Sequence, residues 1–156
     1  MVGRLKKLWR FLLQPKAGYP ENCIKGIARD DGVTDGGQVS GHVFYFKPEH
    51  LRKDGWFEES INWEDDSKAQ DFTLKQRKNG NIQWQRGIAI LPRKAIDRIN
   101  ELPTMKGLLS YERDTLKHNI YHGNLLLKEK VEKAAMRAIA GNLATNVTKV
   151  ISQKYK

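Results

Sequence analysis

Residues 56–63 read WFEESINW, and this stretch decides the fold class. In an extended chain successive side chains point to opposite faces, so the stretch divides into two alternating sets. One set contains Phe57, Ile61 and Trp63 and is clearly the more apolar of the two. The alternation predicts a strand that turns one face toward a core.

Turn-forming residues divide the rest of the chain into short segments. Strand-like composition recurs in Cys23–Arg29, Gln38–Phe46, Ile82–Leu91 and Leu108–Tyr111. Helical signals occur in Pro48–Lys53, Ser67–Lys78, Pro92–Asn100 and a long element from Leu127 to Val150. Strands interrupted by short helices, without a regular βαβ repeat, predict a single α+β domain over residues 17–156. We expect a four- to five-stranded antiparallel or mixed sheet with packed helices, ending in a long basic C-terminal helix.

The first sixteen residues form a separate segment with a helical pattern. Its apolar side chains fall on one arc at helical spacing, and its basic side chains fall mostly opposite. The pattern predicts a basic amphipathic helix over residues 1–16 that ends near Pro15. Four uses stay open: packing on its own domain, anchoring on an anionic membrane surface, docking on a protein partner, or acting as an organellar address. The candidate docking residues are Leu5, Leu8, Trp9, Leu12 and Leu13.

The formal net charge of +10 is carried by the two ends of the chain. Residues 17–125 hold 16 basic and 16 acidic side chains and are neutral as a group. Residues 1–16 hold five basic side chains and no acidic one, and residues 126–156 hold seven basic against two acidic. Because net charge reports on partners rather than on fold, we expect an anionic partner.

Nucleic acid is the partner that this charge distribution favours. The candidate phosphate-binding residues of the two ends are Arg4, Lys6, Lys7, Arg10, Lys149, Lys154 and Lys156. A second candidate patch consists of Lys75, Arg77, Lys78 and Arg86. Trp84 lies within this patch along the chain, and an aromatic ring among cations suits stacking together with phosphate contacts. The first hypothesis is a small interaction protein that binds RNA or DNA.

Residues 111–124 hold the side chains best suited to acid–base chemistry. His118 and His122 are four residues apart, a spacing that puts them on one face of a helix or a strand. Imidazoles can act as general acid and base near neutral pH, and Lys117 or Arg113 could hold a phosphate. The second hypothesis is a metal-independent nuclease or phosphate-transfer enzyme with these four residues as its catalytic site. The alternative is a strand end whose rings cover the core.

The remaining signals limit other kinds of chemistry. Cys23 is the single cysteine, so no internal disulfide forms, and the two histidines lack a third ligand for a catalytic zinc. The sequence contains no glycine-rich phosphate loop and no nucleophile elbow, and we expect neither a metal nor a cofactor. The apolar runs are too short to span a bilayer, and we expect an intracellular, cytoplasmic location. A third hypothesis is a peripheral membrane or complex-assembly subunit held by the N-terminal helix.

Overall fold

The computed structural model of this chain describes residues 18–156. In this part of the chain the strands are β1 (Asn22–Ile27), β2 (Trp56–Trp63), β3 (Arg77–Lys78), β4 (Asn81–Ile82), β5 (Gly87–Pro92), β6 (Leu109–Arg113), β7 (His122–Lys128) and β8 (Lys149–Ile151). The α-helices are α1 (Ala69–Lys75), α2 (Arg93–Glu101) and α3 (Lys133–Thr145). Short 3-10 turns lie at Asp30–Gly32, Gly41–Phe44 and Pro48–His50.

Six strands form one antiparallel sheet in the order β6-β7-β2-β1-β5-β8, and β3 and β4 form a separate hairpin. The strand predicted from WFEESINW is confirmed as β2, which pairs along most of its length with β7 and over a shorter stretch with β1. The α+β class and the antiparallel alternative are confirmed. The sheet has six strands rather than the four to five expected, because the chain near its C-terminus adds β7 and β8.

The larger core lies on one face of the sheet. Cys23 of β1 and Trp63 of β2 are fully buried there, and Ile61 is nearly so. These side chains pack under α2, α3 and the segment that contains Gly41–Phe44. Helix α2 follows Pro92, whose missing N–H costs nothing ahead of a first helical turn. Each buried apolar side chain contributes about 1.5–3 kcal/mol through area removed from water.

A smaller core lies on the opposite face beside α1. Ile24 of β1 alternates with the residues of the larger core and packs with Ile88 and Ile90 of β5. Leu74 of α1 and Tyr155 of the C-terminal tail pack against the same cluster. Helix α1 and the tail after β8 therefore cover one face of the sheet, while α2 and α3 cover the other.

Two predicted elements are wrong in the structure, and the predicted strand Ile82–Leu91 is divided between β4 and β5. Gln38–Phe46 is not a strand but contains the 3-10 turn Gly41–Phe44, which packs on α3. A side chain at Gly41 would approach the backbone of Gly141 to 3.5 Å, so two glycines meet where this turn crosses the helix. The predicted long helix from Leu127 to Val150 is divided among the end of β7, the helix α3 and the strand β8. The chain therefore ends in a strand and a tail rather than in a basic helix.

The predicted amphipathic helix over residues 1–16 lies outside the described residues. Its candidate phosphate-binding and docking residues therefore stay predictions. Within residues 18–156, no helix is both long enough and apolar enough to cross a membrane.

Candidate nucleic-acid interface

Cationic side chains from the middle and the end of the chain meet on one surface. Arg77 of β3 donates from Nη2 to the main-chain oxygen of Lys156 at 2.8 Å, which brings the tail beside the β3–β4 hairpin. Gln153 anchors this tail, because its Nε2 lies 2.9 Å from the carbonyl oxygens of both Leu74 and Trp84. We call this the basic surface. Contacts place Lys75, Arg77 and Lys154 on it, and the exposed Lys78 and Lys156 lie next to these contacts along the chain.

An aromatic ring and a carboxylate lie among these cations. The Nζ atoms of Lys75 and Lys154 are each 5.2 Å from the centre of the Tyr155 ring. Asp71 accepts hydrogen bonds from the Tyr155 hydroxyl and from Lys75 Nζ, the latter at 2.8 Å, and Lys154 Nζ lies 3.5 Å away. The hydrogen bond from Lys75, followed by that from Tyr155, lowers the pKa of Asp71 to about 2. Asp71 is therefore ionised at neutral pH, and the five cations still leave the surface positive.

A cleft of about 470 Å³ opens beside the basic surface. Its lining includes Lys75 and Arg77 from the basic surface together with His118 and His122. Trp84 also lines this cleft. The fold thus brings part of the predicted second patch and both predicted catalytic histidines to one place.

Hydrogen-bonded side chains join the elements that line the cleft. Asn62 Nδ2 donates to Thr73 Oγ1 at 2.8 Å and to Gln76 Oε1 at 3.2 Å, which links β2 to the end of α1. Asn119 Nδ2 donates to Asn62 Oδ1 at 2.8 Å, and the Trp84 indole N–H donates to Gln76 Oε1 at 3.0 Å. A buried polar group that loses its partner costs about 1–3 kcal/mol, so this satisfied network holds the cleft in shape.

His122 has a defined orientation at the start of β7. Its Nδ1 lies 2.8 Å from the carbonyl oxygen of Asp114 and 3.7 Å from a carboxylate oxygen of the same residue. A carbonyl oxygen only accepts, so Nδ1 carries the proton. In the neutral ring, Nε2 then holds the lone pair, and it lies 3.4 Å from Ser60 Oγ. Nε2 of His122 is thus available as a proton acceptor at the cleft.

The other predicted site residues lie elsewhere. Arg113 donates to both carboxylate oxygens of Asp65, at 2.7 and 2.6 Å, and lines a different cavity of about 820 Å³. Lys117 is exposed in the loop before β7 and is not part of the cleft lining. Arg86 lies 4.0 Å from Asp30, and Lys149 is exposed in β8. Neither Arg113 nor Lys117 therefore reaches the phosphate position that the histidines would share.

A further cavity, of about 570 Å³, adjoins the cleft at Trp84, which lines both. Lys25 and Glu59 lie in it as a buried ion pair, with Lys25 Nζ 2.6 Å from Glu59 Oε1. This pair is not among the site residues predicted from the sequence. The signal was present, since Lys25 stands in an apolar strand and Glu59 in the apolar alternation of β2. A charge at such a position indicates a partner or a function.

The described residues hold few other reactive groups. Burial raises the pKa of the Cys23 thiol to about 12, which makes it an inert core residue. Within residues 18–156, no group of three histidine, cysteine, aspartate or glutamate side chains is placed to hold a metal ion. Comparison of the chain with models of known protein families, with curated protein sequences and with solved structures finds no match in any of the three.

Proposed function

We propose that this protein binds nucleic acid through its basic surface. The observation that carries the proposal is the contact between Arg77 and the main-chain oxygen of Lys156. It joins cations from the neutral middle of the chain to cations from the basic end. Exposed charges act together only within about a Debye length, roughly 8 Å at physiological salt, so this proximity is what turns two weak patches into one.

The chemistry of the surface suits a phosphate backbone. Five flexible cations can follow phosphates, and Tyr155 with Trp84 offers aromatic surface on which unpaired bases stack. Asp71 is the carboxylate in contact with Lys75 and Lys154, and it fixes their position without cancelling the excess charge.

The test is salt-dependent binding by the full chain. We expect a fluorescently labelled single-stranded nucleic acid to bind at low ionic strength. The logarithm of its affinity should fall linearly with the logarithm of the salt concentration. The double variant Lys78→Glu/Lys154→Glu should bind about tenfold or more weakly. The matched control Lys94→Glu/Lys106→Glu makes the same charge change on exposed lysines away from the surface and should bind almost as well as the wild type. Absence of salt-dependent binding, or equal losses in both variants, would reject the proposal.

We also infer a second candidate function, metal-independent cleavage of RNA at the cleft. It is favoured by one observation: His118 and His122 line the same cleft as Lys75 and Arg77. One imidazole would remove the proton of a ribose 2′-hydroxyl as that oxygen attacks the adjacent phosphorus. The other would protonate the departing 5′-oxygen, leaving a 2′,3′-cyclic phosphate. Lys75 or Arg77, rather than the predicted Lys117 or Arg113, would stabilise the charge on the phosphoryl oxygens.

Cleavage of labelled RNA in the presence of a chelator tests this second function. We expect a bell-shaped pH profile, loss of cleavage in His118→Asn and His122→Asn, and no cleavage of DNA of the same sequence. Cleavage that persists in His122→Asn, or a wild type that leaves RNA intact, would remove the histidines from any such mechanism.

A further inference from the structure

The cavity around Lys25 and Glu59 exists because two central strands separate. β1 and β2 pair only at Cys23 with Trp63 and at Ile24 with Asn62. Beyond these pairs the strands diverge, and Lys25 and Glu59 meet between them. We call the resulting space of about 570 Å³ the Glu59 cavity.

The ion pair in this cavity is buried but incompletely satisfied. Lys25 is 4% exposed and Glu59 is 8% exposed. Lys25 Nζ donates to Glu59 Oε1 at 2.6 Å and to the Ser60 carbonyl oxygen at 3.3 Å, which leaves one ammonium hydrogen for another acceptor. Glu59 Oε2 is the one buried side-chain polar atom within residues 18–156 that has no hydrogen-bond partner. The nearby His50 Nδ1 lies 3.6 Å from it, too far for a hydrogen bond.

This arrangement offers a ligand one donor and one acceptor side by side. A buried carboxylate oxygen without a partner is costly, so a molecule that donates to Oε2 gains binding energy from satisfying it. The matching molecule accepts from Lys25 and donates to Glu59 with neighbouring atoms on one edge. Nucleobases have such edges.

Trp84 provides a fixed aromatic wall for the cavity. Its ring lies against Gly26, where an added Cβ would be 2.0 Å from a ring atom, and its N–H is held by Gln76. Lys25 Nζ lies 5.8 Å from the ring centre. The ring is therefore held in place beside the ion pair, which is the condition for stacking a base while reading its edge.

The cavity is also continuous with the basic surface. Lys78 belongs to that surface and lines the Glu59 cavity, and Trp84 lines both this cavity and the cleft. A single-stranded nucleic acid whose phosphates lie on the basic surface can thus place one base in the cavity.

We propose that the Glu59 cavity takes one unpaired nucleobase of the bound strand, and that guanine fits it best. Guanine O6 accepts from Lys25, while its N1–H and N2–H donate to Glu59 Oε2, and the purine stacks on Trp84. Uracil also has an acceptor beside a donor, O4 and N3–H, but it lacks the second donor and has the smaller ring, so it should bind more weakly. This inference rests on the proposed nucleic-acid binding, and it specifies a single-stranded ligand because a paired base cannot present that edge.

Strands that differ in one base test the proposal with the full chain. The probes are uridine strands of about 12 nucleotides carrying one central guanine, adenine or abasic site. We expect the guanine strand to bind about tenfold more tightly than the other two, since one good bidentate base contact is worth about 1–3 kcal/mol. Glu59→Gln should remove this preference and leave affinity for the abasic strand within about twofold of wild type. The matched control is Glu58→Gln, the same change one residue earlier on β2, and it should keep the preference.

Free guanosine monophosphate separates this inference from the proposed function. In the wild type, we expect the indole N–H resonance of Trp84 to shift on adding this nucleotide and not on adding uridine monophosphate, while that of Trp56 stays unmoved. This measurement needs no variant and holds even where Glu59→Gln does not fold. If the protein bound single-stranded nucleic acid without preferring guanine, or if the preference survived Glu59→Gln, the proposed base site would be rejected. The proposed binding of nucleic acid to the basic surface would be unaffected by that result. If guanosine monophosphate shifted the indole N–H resonance of Trp84 but the protein bound no single-stranded nucleic acid, the proposed function of the basic surface would be rejected. The proposed base site would then be supported on its own.

Discussion

Asp71 is the residue that organises the basic surface, and its acidity can be measured directly. Because the folded pKa of about 2 lies below the ordinary value of 3.8, its contribution to stability is present above pH 3.8 and is lost as pH falls toward 2. We expect the carboxyl carbon resonance of Asp71 to titrate with a midpoint near pH 2. The contacts with Lys75 and Tyr155 should persist below pH 3.8 and open only as the pH falls through about 2. A midpoint at or above 3.8 would show that the cations do not hold this carboxylate.

Cys23 gives a second prediction at the residue scale. Its thiol is completely buried, and burial raises its pKa to about 12. Only the thiolate reacts, so the folded protein should resist iodoacetamide at neutral pH and react fully once unfolded in denaturant. Mass spectrometry of the alkylated protein measures this, with the unfolded chain as the positive control. Rapid alkylation under native conditions would contradict the burial of β1.

The Lys25–Glu59 pair shows which part of a candidate site can be predicted from the sequence and which part cannot. The sequence displays each charge in an apolar context, which indicates that each needs a partner. It does not indicate that the two meet, because they are 34 residues apart and their contact depends on where β1 and β2 diverge. His118 and His122 both line the cleft, but His118 lies in the turn before β7 and His122 is the first residue of that strand, so the turn rather than a regular four-residue spacing brings them together.

At the scale of elements, the strands that alternate cleanly are the ones that could be predicted. WFEESINW has one apolar and one mixed face, and α2 has its apolar residues at helical spacing after Pro92. Residues 125–127 are three consecutive leucines in a strand buried on both faces, where no alternation exists to separate strand from helix. The segment 38–46 has strand-like residues, but contact with α3 determines its 3-10 turn. The leucine run therefore hides β7, while β8 has only three residues and Val147 and Val150 continue the helical spacing of the segment before it, so the sequence does not show the six-stranded sheet.

The packing of β1 against the β4–β5 connection can be tested by a substitution at Gly26. An alanine at Gly26 would put its Cβ 2.0 Å from the Trp84 ring. We expect Gly26→Ala to lower the free energy of unfolding by about 1–3 kcal/mol, measured by urea denaturation, because the ring or strand must move. Gly36→Ala is the control, since its Cβ would meet only Thr34 Oγ1 at 3.9 Å. In a double-mutant cycle, Trp84→Ala should remove most of the cost of Gly26→Ala, and additive losses would mean that the ring is not the obstacle.

In the whole molecule, one face of the sheet carries the larger hydrophobic core and the other carries the basic surface. Helices α2 and α3 cover the larger core, and burial there supplies most of the stability. The opposite face carries α1, the β3–β4 hairpin and the C-terminal tail, and the basic surface and the cleft lie among these elements. The Glu59 cavity lies at the gap between β1 and β2, and Trp84 and Lys78 line it together with His42, Tyr45 and His50. The central region, neutral in total charge, thus contributes Lys75, Arg77 and Lys78 to the same side on which the basic tail lies.

In the C-terminal tail, the contribution of charge to binding can be measured separately from the contribution of the tail's folded position. Gln153 holds the tail through the carbonyl oxygens of Leu74 and Trp84, which are 79 and 69 residues away along the chain. Gln153→Ala keeps every charge but releases this anchor, so we expect several-fold weaker strand binding with an almost unchanged slope of log affinity against log salt. Lys154→Gln/Lys156→Gln keeps the anchor but removes two phosphate contacts, so its slope should become shallower by about 1.4. Lys149→Gln, which removes one charge outside the basic surface, should alter neither affinity nor slope appreciably. If Gln153→Ala bound as tightly as the wild type, the folded position of the tail would play no part in binding, and its lysines would act as a loose charged end.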